Sequence, residues 1–360
     1  MKKMHMRSVK PGDILSRPIW TANGSFLLGV GMKLNERYIE KLLRLGTEYV
    51  YVDDQLTSDI IPEDSIQDET RKMAVQTVYK TMAELKAAPL IQRRVSLPNL
   101  GKEYRQIIGD ILLDLTRNKA LMFNLTSINV KDEYLFQHAV NVAVLAGIVG
   151  IAKGYNRTQL TELGIGALLY DIGMTGLPDE FWQNPSRLTP EQMILMQKHT
   201  EEGFEILRKQ PDIPLLSAHC ALQHHERFDG SGYPRGLKGK EIHEYAQIVA
   251  IADVYNALTS PRTYRKAYSA SEAVEFLFAS GNQWFDIDLI KVFCNHIAIY
   301  PVAATVLLNT GQVGVVSAVN QESSHRPFIR IVQEPDGNPP GTAYELNLSK
   351  QLNVTILKEL

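Results

Sequence analysis

His224-His225-Glu226-Arg227-Phe228-Asp229-Gly230-Ser231-Gly232-Tyr233-Pro234 sets two adjacent imidazoles and a carboxylate beside a glycine-rich turn that ends in proline. That composition suits a metal site next to a tight backbone loop. Further candidate donors lie outward from it at His138, Asp171, His199 and Asp253, and the gaps along the six are 33, 28, 25, 1 and 28 residues. Each long gap is close to one helix plus its loop, and a helical bundle brings such residues to a common centre with one or two ligands per helix. Histidine with aspartate and no thiolate suits Fe, Mn or Zn, and favours a catalytic over a structural site. A carboxylate such as Asp171 can bridge two cations, an arrangement suited to phosphate-ester hydrolysis. Singly the residues say less. A lone histidine such as His138 is usually a satisfied core or surface residue, and Asp171, following Ile165 to Leu169, could simply cap the turn that holds Gly173. Asp253 sits in the apolar stripe Ala250-Ile251-Ala252-Asp253-Val254, where an unpartnered carboxylate is costly, so ligation or pairing is expected there.

The donors fall where helical periodicity dominates, over residues 69–299. Ile107, Ile111 and Leu115 recur every four residues, as do Leu135, Ala139 and Ala143. Thr189-Pro190-Glu191 is a helix start with proline at the first helical position. Residues 1–60 read as a small α+β domain: Asn23-Gly24 between Ile19-Trp20-Thr21-Ala22 and Ser25-Phe26-Leu27-Leu28 predicts a hairpin. A helix is expected from about Asn35 to Leu45, and a strand over Tyr49 to Val52. The acidic segment Asp53 to Asp68 reads as a linker. Residues 300–360 read as a small β-barrel or sheet, with strands at Thr305 to Leu308, Val313 to Val319 and Phe328 to Val332.

At 360 residues, with 44% hydrophobic and 22% charged residues, the chain is composed like a soluble globular protein of two or three domains. A formal net charge of −2 argues against bulk attraction to nucleic-acid polymers or anionic membrane. Cys220 and Cys294 are the two cysteines, too few and too distant for a disulfide framework, which suggests a reducing compartment. The segment Met1 to Asp13 is basic but leads into no apolar core, and Ala139 to Ala152, interrupted by Asn141, falls short of the ~20 residues of a membrane span. A cytoplasmic location is the expectation.

His224 to Pro234 resembles the HD-GYP signature, and Ile248 to Arg265 resembles the segment that follows it in that family. Gln137-His138 and Lys198-His199-Thr200 match as well, so the resemblance spans roughly residues 100 to 300. Members are bacterial metal-dependent phosphodiesterases that open cyclic di-GMP, and sometimes related cyclic dinucleotides, to linear products. The resemblance implies a multi-domain, mainly α protein, in which a central HD-type helical bundle is flanked by the small N-terminal α+β domain and the small C-terminal β module. It implies two divalent metal ions, Fe or Mn, held by His138, Asp171, His199, His224, His225 and Asp253, with Asp171 bridging. Tyr170 and Asp171 stand at the catalytic pair. Gly232, Tyr233 and Pro234 would form the loop beside the substrate, and Arg262 and Arg265 would meet its phosphates or guanine edges. Cyclic di-GMP is the implied partner, with no nucleic-acid polymer and no membrane. The terminal modules leave room for signalling partners and for a homodimer.

Three departures from the family pattern bear on catalysis. Its namesake His-Asp is here Tyr170-Asp171, and a phenol, with an ordinary pKa of about 10, substitutes poorly for imidazole. Met174 stands where the family has a lysine that would serve the phosphate or the leaving oxygen. Tyr134 stands four residues before His138, where some members carry a glutamate for a third metal. Two readings follow: a phosphodiesterase of reduced rate, or a degenerate receptor for metal or cyclic dinucleotide. The first is preferred, because the other ligand positions, the GYP loop and both arginines are present.

Overall fold

A computed structural model describes residues 1–20, 26–88, 97, 99–117, 128–129, 134–178, 181, 188–260, 267–320 and 323–360, and its chain divides into two compact units. The first unit comprises Met1–Ser65, Met122–Tyr134 and Ile297–Leu360. It contains β1 (Lys2–His5), β2 (Ile19–Trp20), β3 (Phe26–Leu28), α1 (Glu36–Arg44), β4 (Tyr49–Val52) and β5 (Ile128–Asn129). Its last part carries β6 (Thr305–Leu308), β7 (Val313–Ala318), β8 (Phe328–Gln333), β9 (Glu345–Asn347) and β10 (Ile356–Glu359).

β2 and β3 pair antiparallel as the flanks of Asn23-Gly24 predict, while the turn itself lies outside the described residues. α1 starts where Asn35 Oδ1 accepts the amide of Tyr38 at 2.8 Å, the side-chain cap its sequence offers. β1 pairs antiparallel with β4, from Lys2 opposite Val52 to His5 opposite Tyr49. The C-terminal strands form one antiparallel sheet in the order β10-β6-β7-β8-β9. Val306, Leu308, Val316, Ile329 and Ile331 form one buried cluster, and β6 and β8 alternate buried with less buried residues along their length.

The two end segments, expected as separate modules, lie in one unit. Ala303 and Val315 join the core formed by Leu15, Leu34, Leu42 and Val50. The Lys3 amide donates to the Ala303 carbonyl at 2.7 Å, and Lys3 Nζ pairs with Glu359 at 2.8 Å. The segment expected as a linker is also partly structured: a 3-10 turn covers Gln55–Thr57, and Ile60 and Ile66 are buried.

The second unit comprises Ile66–Leu121 and Leu135–His296. Its helices are α2 (Asp68–Ala87), α3 (Leu100–Arg117), α4 (Tyr134–Ala152), α5 (Arg157–Leu169), α6 (Pro190–Gln197), α7 (His199–Leu207), α8 (Leu215–Gln223), α9 (Glu244–Thr259), α10 (Ala270–Ala279) and α11 (Ile287–Cys294). Capping boxes start two of them, Asn156 with Gln159 on α5 and Thr189 with Gln192 on α6. α4 is apolar around its whole circumference, the mark of a helix enclosed by protein. Its span Leu135–Ala152 is long and apolar enough to cross a membrane, and 83% of it is buried inside the structure. Asn141, the polar interruption, accepts Arg71 Nη1 of α2 at 2.7 Å, so this buried amide is paired. α8 packs against α5, α7 and α9, and α7 packs against a 3-10 turn, Ile172–Gly176, that follows α5. Helix ends therefore meet around α8. Cys220 and Cys294 are both buried and free.

Candidate metal centre

Each donor sits at a helix end or on an inward helix face. His138 projects from α4 one turn before Asn141. Tyr170 ends α5 and Asp171 follows it, before the 3-10 turn. His199 opens α7, His224 closes α8, and Asp253 lies on the inner face of α9.

Three of the imidazoles share one orientation. His199 Nδ1 lies 2.7 Å from the Met196 carbonyl, and His224 Nδ1 lies 3.0 Å from both the Cys220 and Ala221 carbonyls. His138 Nδ1 lies 2.8 Å from Asn256 Oδ1. A carbonyl accepts only, so Nδ1 of His199 and of His224 carries the proton and Nε2 carries the lone pair. Those two Nε2 atoms face each other at 3.2 Å, and Asp171 Oδ1 stands 3.4 Å from one and 3.5 Å from the other. His225 completes the group: one ligand atom from each of His199, His224 and His225 falls within 4.8 Å of the others. Acceptors crowded on acceptors are unfavourable by themselves and become favourable around a cation. Imidazoles whose outer nitrogen is held by an oxygen are the usual support of a metal ligand. These residues fit a divalent ion.

The remaining donors are arranged differently. Asp253 Oδ1 is 2.7 Å from His138 Nε2 and accepts the Tyr170 hydroxyl at 3.0 Å. Burial pushes the Asp253 carboxyl up, but the hydrogen bond and charge of His138, with His224 and the Tyr170 phenol, outweigh it and hold the group at about 2. Tyr170 is buried, its ring edge-on to His224 with centroids 4.9 Å apart. Met174 is buried in the 3-10 turn, where its thioether offers no charge.

The loop after α8 is fixed by its own polar groups. The buried Glu226 carboxylate accepts the amides of Arg235 at 2.8 Å and Leu237 at 3.0 Å. Asp229 accepts the Ser231 amide at 2.9 Å. Both acids thus hold the loop. A Cβ on Gly232 would fall 2.4 Å from the Arg227 amide nitrogen and the His225 carbonyl oxygen, so only glycine lets the chain double back here. Tyr233 stacks on His225 with ring centroids 4.7 Å apart and planes at 24°, and a cis peptide joins it to Pro234. Arg262 and Arg265 lie outside the described residues. Asn256 is the participant that sequence reasoning missed; it lies three residues after Asp253, on the same face of α9. His243 and His296 make backbone contacts at helix ends instead, His243 Nδ1 accepting the Tyr245 amide at 3.2 Å and His296 Nδ1 lying 2.8 Å from the Val292 carbonyl.

Residues 123–289 match the HD domain family, and residues 305–360 match the KOW domain associated with HD domain. Over residues 123–289 the helical unit is similar to HD domains. Among curated proteins, the chain is 33% identical over 227 residues to the cyclic di-GMP phosphodiesterase PA4108 of Pseudomonas aeruginosa, covering 62% of this chain and 54% of that one. It is 38% identical over 164 residues to a cyclic di-GMP phosphodiesterase of Thermotoga maritima, covering 45% of each. The chain thus spans about half the length of these curated relatives. Among solved structures, Bd1817, a HDG"Y"P protein from Bdellovibrio bacteriovorus, aligns at 15% identity and a TM-score of 0.49, over 81% of this chain and 98% of that one.

Burial in the helical unit also sets a pH response. It lowers the pKa of His199 and holds that of His225 well below the ordinary imidazole range, with neighbouring His224 adding to both effects. Below about pH 6.5 the unfolded chain takes up protons that these folded imidazoles refuse. Stability present above that value is then lost as pH falls, by up to about 1.4 kcal/mol per pH unit for each group. Chelator-treated protein should melt at progressively lower temperature from about pH 7 to about pH 5 in calorimetry. A flat profile would contradict the neutral, enclosed imidazoles.

Proposed function

We propose that this chain is a metal-dependent phosphodiesterase that opens a cyclic dinucleotide, cyclic di-GMP first among them, to a linear product. The observation that carries the reading is the pair of facing nitrogens, His199 Nε2 and His224 Nε2, 3.2 Å apart with Asp171 Oδ1 beside both. A donor set of histidine and carboxylate without thiolate suits Fe or Mn. When bound, such an ion supplies Lewis acidity at a phosphoryl oxygen and makes water a better nucleophile near neutral pH.

The chain's own residues supply position. Asp171, partly open to solvent, can orient a water toward phosphorus. In the hydrolysis an O–P bond forms from that water, one ester P–O bond breaks, and the departing sugar oxygen takes a proton. The Tyr233 ring, backed by His225, offers a flat face for a purine at the edge of the site. Glu226 holds the glycine loop so that its backbone can approach the substrate. Arg262 and Arg265 are proposed as phosphate contacts on the family resemblance. The two relatives, both cyclic di-GMP phosphodiesterases, support this substrate class.

A second reading is favoured by Tyr170 and Met174. Without the imidazole and the lysine of the family pattern, the domain could bind a dinucleotide and signal without cleaving it. One experiment separates the two. Purified protein loaded with Mn or Fe should convert cyclic di-GMP to its linear form, followed by chromatography. No product at high enzyme concentration, with dinucleotide binding intact by calorimetry, selects the receptor. Absence of both product and binding rejects the two together.

A further inference from the structure

We propose that this HD domain holds one ion rather than two, in the half of the site built from Asp171, His199, His224 and His225, and that the Tyr170 phenol closes the other half. This rests on the metal-site reading above and restricts it. The six donors separate by the chemistry of their contacts. In the first half acceptor faces acceptor: His199 Nε2 against His224 Nε2 at 3.2 Å, with Asp171 Oδ1 at 3.4 and 3.5 Å. Only a cation between them turns that crowding into attraction. In the second half a side-chain donor enters, the phenol of Tyr170. Both ring nitrogens of His138 lie against oxygens, Asn256 Oδ1 at 2.8 Å and Asp253 Oδ1 at 2.7 Å. The Tyr170 hydroxyl donates to the same Asp253 oxygen at 3.0 Å. The Tyr170 proton thus satisfies Asp253 Oδ1 without an ion.

An ion entering the second half would have to displace the Tyr170 hydrogen bond from the carboxylate oxygen and take a phenol in place of an imidazole. The ring also packs against both halves. Tyr170 is 1% exposed, its centroid lies 4.9 Å from that of His224 and 6.3 Å from that of His138, and its hydroxyl reaches Asp253. Imidazole at position 170 would be shorter and would present a lone pair instead of a proton. The exchange of one ring thus converts a ligand into a plug.

The test measures ions per chain in the full-length protein after loading with Mn(II) and desalting, by elemental analysis, with an electron paramagnetic resonance spectrum of the same sample. Wild type and Tyr170→Phe should each hold about one ion per chain, with the spectrum of an isolated Mn(II), and Tyr170→His should hold about two with an exchange-coupled spectrum. Two ions in wild type overturn the proposal and leave the metal-site reading standing. A tyrosinate-to-iron charge-transfer band in the iron-loaded protein overturns it as well, since the phenol would then be a ligand. No ion in any of the three overturns the metal-site reading itself and the proposal with it. Should Tyr170→His fail to fold, the wild-type count and spectrum still decide between one ion and two.

Discussion

Replacing His224 with alanine should remove the bound ion and lower turnover of cyclic di-GMP by roughly 100-fold or more, since loss of an outer partner of a ligand alone costs about 10–100-fold. The expectation comes from where this ring sits. It closes α8, is fully buried, and has its Nδ1 held by two carbonyls of its own helix, so Nε2 cannot turn away from His199 and Asp171. Alanine removes one of the two facing lone pairs and leaves a cavity. In the ion-free protein the deletion also relieves acceptor crowding, so the melting temperature after chelation should fall less than deletion of a buried ring usually causes. Metal content and turnover should therefore collapse while the fold persists. A variant that kept its ion and stayed within tenfold of wild-type turnover would remove His224 from the centre.

Gly173→Ala should be the most damaging small substitution in the helical unit. A Cβ there would lie 1.9 Å from the His199 carbonyl oxygen, 2.6 Å from the Gly203 amide nitrogen and 2.9 Å from the His199 carbonyl carbon. All three are backbone atoms, so no side-chain rotation relieves the clash. The first turn of α7 must move off the 3-10 turn, at the upper end of the ~1–3 kcal/mol typical of overpacking or beyond it. Because His199 opens that turn and Asp171 precedes the other, the shift should also weaken metal retention. Gly109, inside α3 with open space around it, is the control: Gly109→Ala should stabilise by about 0.5–1 kcal/mol through helix propensity. Denaturant melts of both variants would show opposite signs; equal and small effects would mean that the close approach at Gly173 is not as described.

Much of the architecture could be read before any coordinates, for reasons specific to each element. The helix at Glu36–Arg44 and that at Pro190–Gln197 carry side-chain caps that act within four residues, and local chemistry is what a linear reading sees. β1 was missed because Lys2-Lys3-Met4-His5 has no apolar alternation; its strand form comes from pairing with β4, some fifty residues on. β9 and β10 were missed likewise, being short, polar and dependent on β8 and β6. At the site, residue type and spacing pointed to the six donors. The division of those donors could not be read, because it depends on where the Tyr170 hydroxyl points. Asn256 escaped notice because an amide announces itself as a helper only when the ring it holds is in view. The loop acids Glu226 and Asp229 take their role from amides that only the folded turn brings to them.

The tie between Lys3 and Glu359 has a consequence for how this protein is made. The opening strand leaves the ribosome long before Ala303 and Val315, the residues that finish its apolar environment, have been translated. During that interval the early segment must wait without its lining, while the intervening helices, whose contacts are nearer in sequence, are free to settle first. Loss of residues 301–360 would therefore unsettle the strand Lys2–His5 as much as the sheet it belongs to.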